Sequence, residues 1–329
     1  VPILQDGSRF RRTFASPKAL YTLISRRNIR VKVMQTLYSI ESGALSPDPK
    51  RALESLDNKL EQSCRLFAYL VHLVGEVARY AETDAVRRAS KHLPSKEDLE
   101  VNTKISGNTL VWQFLEDPAY RRQVSEGHFE SRLDPALVRS LYLALAATPE
   151  YARYIAIPGR DRKGERDILT FLFNDIILPE ERVDEHLAEE FMVWDDDAEM
   201  MQSMVLNYFG RPAAWDFDAV ISAEKRTYAR ELLRTAIDKR EHCLEVIGGR
   251  LKNWDPDRIA TIDMILMRMG LCELLYFETI PAKVTLNEYI DLAKDYSTPQ
   301  SGQFVNGILD GIHKEMEAEG RLHKVEYRK

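Results

Sequence analysis

A chain of 329 residues, 44% of them hydrophobic, is long enough for one large domain or two ordinary ones and apolar enough to bury a real core. Its net charge of -6 excludes a general polycationic coat for nucleic acid, but the sum conceals a polarity. Ahead of Glu41, Arg9, Arg11, Arg12, Lys18, Arg26, Arg27, Arg30 and Lys32 face Asp6 alone, whereas between Glu180 and Glu199 Arg182 is the one Lys or Arg among many acids, a pattern that predicts a local polyanion site at the basic end.

Residues 1–24 are basic, interrupted by Pro2, Gly7 and Pro17, and read as a loosely docked arm. Ser25 then caps a helix to about Ser42, with Ile29, Val33, Leu37 and Ile40 as its buried stripe. Arg26, Arg27, Arg30 and Lys32 occupy its first two turns, where positive charge opposes the helix dipole, and Gln35 and Tyr38 continue off the stripe. Cations placed against helix stability point to phosphate contact, although an ordinary solvated face is the competing reading.

A long helix is predicted from Arg51 to about Tyr80, continuing after a kink over 84–92. Further helices are expected at about 108–126, 134–147, 166–177, 181–194, 198–209 and 218–250, with Trp112, Phe114 and Leu115 as core. Asp255 and Pro256 then open an almost wholly apolar helix, with Trp254 and Ile259 as its hydrophobic staple. Asp263, Arg268 and Glu273 within that helix exclude a membrane span, since each charge would cost about 2.5 to 3.5 kcal/mol at a bilayer centre. Thr285 and Glu288 form a capping box for the next helix, and Thr298 with Pro299 starts the last. Gly302, Gly307 and Gly311 on that last helix read as sites of close backbone approach. No run alternates with period two over a strand length, so the fold class is all-α.

The chemistry-bearing residues nominate no catalytic centre. Gly159 and Gly164 have phosphate-loop spacing, but Glu165 and Arg166 stand where Lys and Ser or Thr are required. Asp195, Asp196, Asp197 and Glu199, with His186 nearby, fit a helix N-terminus better than a metal site. No H-E-x-x-H pair or nucleophile elbow occurs, so neither enzyme, metal nor cofactor is expected. Cys64, Cys243 and Cys272 form no C-x-x-C pair and read as helix-interior core residues of a protein of the reducing cytoplasm.

Two separated segments carry a family resemblance. S-R-R-N-I-R-V-K-V-M-Q-T-L-Y-S (25–39) resembles the opening helix of the transcription antitermination factor NusB family. I-P-A-K-V-T-L-N-E-Y-I-D-L-A-K (280–294) and F-V-N-G-I-L-D (304–310), together with D-R-I-A-T-I-D-M-I-L-M-R-M-G-L-C-E-L-L (257–275), resemble its second half. The resemblance implies a NusB-like helical bundle enlarged by a helical insertion. Its parts would be a basic arm at 1–24, the first family helix at 25–43, the insertion at 44–216, the rest of the family domain at 217–316, and a charged tail at 317–329. It further implies an RNA-binding protein that takes boxA-type single-stranded RNA together with the ribosomal protein NusE and works with other antitermination factors and RNA polymerase on rRNA transcription. RNA contacts would fall on Arg26, Arg27, Arg30 and Lys32, with Gln35, Tyr38 and Phe304, and Asp263 would lie at the RNA and protein interface. Asn28 stands where the family often has a basic residue. The alternatives are an RNA-modifying enzyme, since a NusB-like domain also begins certain rRNA methyltransferases, and a protein-only scaffold. The chain lacks the Gly-rich cofactor loop and cysteine motif expected of the former.

Overall fold

The computed structural model describes residues 24–251 and 259–325. Among them no strand forms, as the absent period-two pattern implies. In chain order the helices are α1 (Arg26–Glu41), α2 (Pro49–Ala89), α3 (Lys96–Leu99), α4 (Thr109–Glu116), α5 (Pro118–Gly127), α6 (Phe129–Arg132), α7 (Pro135–Ala146) and α8 (Pro149–Ala156). They continue with α9 (Arg162–Phe171), α10 (Glu181–Glu190), α11 (Trp194–Gly210), α12 (Ala223–Asp238), α13 (Arg240–Gly248), α14 (Thr261–Tyr276), α15 (Ala282–Tyr296) and α16 (Ser301–Ala318). No described helix is long and apolar enough to cross a membrane. The expected arm up to residue 23, and the cap expected around Trp254, Asp255 and Pro256, lie outside the described residues.

Local chemistry explains several of the helix starts. Ser25 caps α1 as expected, accepting from the Asn28 amide at 3.2 Å. Asp117, Asp134 and Thr148 each cap a helix that opens on proline, where the missing N–H costs nothing. The Asp117–Pro118 step also divides the single helix expected at 108–126, because proline disfavours helical geometry in the residue before it. The helix expected at 218–250 is likewise interrupted, at Lys239, between α12 and α13. α2 runs unbroken through the anticipated kink. The three aspartates do open α11 in its first turn.

The chain divides into two compact units. One comprises Arg65–Asp218 among the described residues, the other Ile24–Cys64 with the chain from Ala219 onward. The boundary falls inside α2, so residues 44–64, expected in the insertion, belong to the same unit as α1.

In the Arg65–Asp218 unit the later turns of α2 form the core, with Phe67, Tyr69, Leu70, Val71 and Val74 fully buried. Phe67 stacks on Trp215 at 5.0 Å between ring centroids, and Phe114 is buried as expected. Trp112, expected in the core, is 48% exposed; its indole N–H donates to the Ser106 carbonyl, so the polar edge is satisfied without burying the ring. Asp161 caps α9 by accepting from the Gly164 amide, which gives the glycine-containing loop the plain role of a helix start.

The unit that contains α1 is built around α14, which buries Ile265, Leu266, Met267, Met269, Leu271 and Leu274 on nearly all sides against α1, α12, α13, α15 and α16. A Cβ on Gly270 would come 2.8 Å from Leu309 Cδ1, and one on Gly302 would come 2.6 Å from Lys294 Cγ, so those two glycines set the approach of α14 and α15 to α16. Gly307 and Gly311 have open space or only a distant arginine beside them, contrary to expectation. Within the expected charged tail, Lys324 Nζ donates to the carbonyls of Glu273 and Phe277, both at 2.8 Å, and closes the C-terminal end of α14.

In the Arg65–Asp218 unit His72 is 3% exposed, with Nδ1 2.9 Å from Tyr120 Oη. Burial, reinforced by the Arg79 charge, pushes its pKa down to about 4. Below the unfolded value of about 6.5 the unfolded chain binds a proton that the folded chain refuses, so stability falls as pH drops from there towards 4, by at most about 1.4 kcal/mol per pH unit. His72→Gln should flatten this part of the pH dependence. Urea titrations at pH 7 and pH 5 measure the difference, which should be smaller in the variant.

Candidate nucleic-acid interface

The first turns of α1 carry the predicted cations, and the structure sorts them into two kinds. Arg30 is 2% exposed. Its Nε and Nη2 donate to Oε2 and Oε1 of Glu273 at 3.0 and 2.7 Å, and its Nη1 donates to Glu288 Oε2 at 3.1 Å. The Tyr228 and Tyr289 rings lie 5.8 and 5.7 Å from the guanidinium carbon. Lys32 is also buried. Arg30 and Lys32, expected as phosphate contacts, are therefore interior residues here. They lie on the inward side of α1 with Ile29 and Val33, where helical periodicity puts them once α14 and α12 cover that face.

Glu273 is the reason Arg30 turns inward. The carboxylate is fully buried. Besides Arg30 it accepts from Tyr228 Oη at 2.7 Å, Thr285 Oγ1 at 2.8 Å and Tyr289 Oη at 3.2 Å. Burial alone would raise its pKa, but the Arg30 hydrogen bond and charge outweigh that and hold it below the usual carboxylate range. Burial likewise works to lower the Arg30 pKa and is overcome by Glu273 and the neighbouring tyrosines. Thr285, expected to cap α15, sits inside that helix instead, because the buried carboxylate needs its hydroxyl. α15 starts earlier, at Ala282 after Pro281. A second ion pair, Arg268 Nη1 to Glu41 Oε1 at 2.7 Å, fastens the far end of α1 to α14.

The remaining cations stay near solvent. Arg26 is half-exposed; its Nη2 donates to Glu224 Oε1 at 2.7 Å, and its guanidinium lies 5.6 Å from the Tyr228 ring centroid. Arg27, also half-exposed, pairs with Asp295 in the last turn of α15. Gln35 is half-buried, and Tyr38 is 43% exposed. Arg27 and Tyr38, eleven residues apart, fall about three turns apart on nearly one line along α1.

Phe304 is half-buried in the first turn of α16. Asp263 is buried and accepts from Ser301 Oγ at 2.7 Å, which makes it a tether between the starts of α14 and α16. That tether, with Gly302 against Lys294, places the start of α16 beside the last turn of α15, the turn that Arg27 reaches. Thus Arg26, Arg27 and Phe304 gather near one end of the bundle. Gln35 and Tyr38 lie further along α1, while Arg30, Lys32 and Asp263 are buried.

On sequence spacing Glu273 and Tyr228 receive no part in this cluster, and Glu288 reads as half of a capping box with Thr285. A signal existed for the first: a lone glutamate in an almost wholly apolar helix requires a buried partner.

Replacing Arg30 with alanine should cost about 3 to 5 kcal/mol, because it leaves Glu273 charged, buried and without its cation. Urea unfolding at pH 7 measures it. Since the folded pKa of Glu273 is depressed, the wild-type pair contributes fully above the unfolded carboxylate pKa of about 4.3 and loses that contribution as pH falls through the folded value.

Comparison with known proteins places these features. A model of the NusB family matches residues 199–314, a stretch that contains α12 to α15 and most of α16. The chain is 46% identical over 99 residues to the transcription antitermination protein NusB of Salinibacter ruber, covering 30% of this chain and 62% of that protein. It is 39% identical over 101 residues to the protein of that name from Methylacidiphilum infernorum, covering 31% of this chain and 70% of that one. For Chloroherpeton thalassium the identity is 37% over 107 residues, covering 32% of this chain and 51% of that protein. Among solved structures T. maritima NusB matches at 31% identity, with 33% of this chain and 82% of that one covered and a TM-score of 0.28. With a relative matched at well over 30% identity across more than two thirds of its length, this chain belongs to the NusB family.

Proposed function

We propose that the protein is a non-catalytic, RNA-binding transcription antitermination factor. It holds boxA-type single-stranded RNA together with the ribosomal protein NusE and promotes read-through of rRNA transcription alongside other antitermination factors and RNA polymerase. Family membership supports the general role, and the exposed face of α1 is the observation that carries the RNA surface. Arg26 and Arg27 are held by partly exposed ion pairs to Glu224 and Asp295, with the Tyr228 ring beside Arg26. Such pairs are worth about 0 to 1 kcal/mol, so a phosphate can displace either carboxylate at little cost. Tyr38 offers an exposed ring for an unstacked base, and Phe304 offers a partly exposed one at the other end of the face.

This reading assigns the contacts to Arg26, Arg27, Gln35, Tyr38 and Phe304. It gives Arg30, Lys32 and Asp263 the task of fixing the helices that present them. NusE is assigned to the C-terminal half, and the Arg65–Asp218 unit is an addition to the family bundle.

Arg26→Ala and Arg27→Ala should each weaken binding of labelled boxA RNA and reduce the slope of log affinity against log salt by about 0.7 per lost phosphate contact. Tyr38→Ala should cost about 1 to 3 kcal/mol of binding with the slope unchanged. Titrations with and without NusE, over a range of salt, measure all three. Unaltered affinity and slope in the double arginine variant would remove the proposed surface.

A further inference from the structure

Cys243 and Cys272 are 29 positions apart in the chain, yet α13 and α14 bring their sulfurs to 3.5 Å. The sequence spacing suggested separate, inert core thiols; the fold makes them a pair. Both are completely buried, whereas Cys64 lies elsewhere, with the Arg226 guanidinium 3.8 Å from its sulfur. The geometry points to a modification site independent of the RNA reading: Cys243 and Cys272 form a dithiol that peroxides convert reversibly into an intramolecular disulfide joining α13 to α14.

Three features carry this. A disulfide needs its sulfurs about 2.05 Å apart, so the thiols must close by about 1.5 Å from their present 3.5 Å contact, within reach of side-chain rotation and a small helix shift. Access comes from α13 itself, a nine-residue helix that buries only Cys243 and Ile247. So thin an apolar attachment puts the helix among the elements that open locally at low cost and would uncover both sulfurs. The two thiols are also electrically unequal. The hydrogen bond with Cys272, aided by the Arg268 and Lys239 charges and opposed by burial, holds Cys243 below the ordinary thiol range, while the same hydrogen bond and burial push Cys272 up. Cys243, carried on the helix that opens, is the sulfur suited to attack, and Cys272, on the central α14, is the one that resolves.

In the reaction the Cys243 thiolate attacks one peroxide oxygen. The O–O bond breaks to give a sulfenic acid, and the departing oxygen leaves as water or an alcohol once protonated. The Cys272 sulfur then attacks Cys243, the S–O bond breaks, and the expelled hydroxide takes the Cys272 proton to leave as water. Two thiols are oxidised by two electrons in total, and one peroxide is reduced.

The test treats the full chain under native conditions with hydrogen peroxide, followed by thiol counting and peptide mapping. The expected result is loss of two of the three thiols, a cross-link between the peptides carrying Cys243 and Cys272, and recovery of both thiols with dithiothreitol. Cys64→Ala should react as the wild type does. Cys272→Ala should give no cross-link and leave a sulfenic acid on Cys243 that dimedone traps, a readout that does not require the disulfide. Thiols that react only in denaturant, a cross-link through Cys64, or irreversible over-oxidation of Cys243 in the wild type would each overturn the proposal.

Discussion

The buried ion pair between Arg30 and Glu273 is the constraint on which the family bundle depends. A carboxylate at the centre of an apolar helix is tolerable only if cations and hydroxyls from several elements converge on it. Here α1 supplies the guanidinium, α12 supplies Tyr228, and α15 supplies Thr285 and Tyr289. One charged group thereby fixes the mutual placement of four helices. Apolar packing alone would tolerate small rotations of α1, but a bidentate pair with its remaining lone pairs occupied specifies one. The Glu41–Arg268 pair gives the other end of α1 a similar fastening.

That arrangement decides which cations of α1 are buried and which stay near solvent. With Arg30 drawn inward, the helix presents Arg26 and Arg27 on one side of the pair and Tyr38 further along, held on a rigid support. Arg30, through Glu273 and Glu288, fixes the rotation of α1 about its own axis. The loosely held surface pairs and the tightly held interior pair are therefore two uses of one basic sequence, separated by burial.

The Arg65–Asp218 unit has a core of its own, centred on aromatic and aliphatic residues in the later turns of α2. The boundary between the two units falls within α2. The insertion expected at 44–216 includes residues 44–64, which cluster with α1. Nothing in a continuous helical pattern marks the point at which its packing partners change.

Local spacing was enough to specify the all-α class, the cap of α1 at Ser25, the centrality of α14 and the family. Each of these is written in local spacing or in contiguous motifs, so few long-range contacts are needed to read it. Only the tertiary structure decided which basic residues of α1 face outward, why Thr285 lies within a helix instead of capping it, and that Cys243 meets Cys272. Those outcomes turn on partners distant in sequence, Glu273 above all, and on the low-dielectric interior that makes an unpaired charge intolerable. Periodicity shows that a helix has an inward side. Which charge belongs on that side is fixed by the group it meets there.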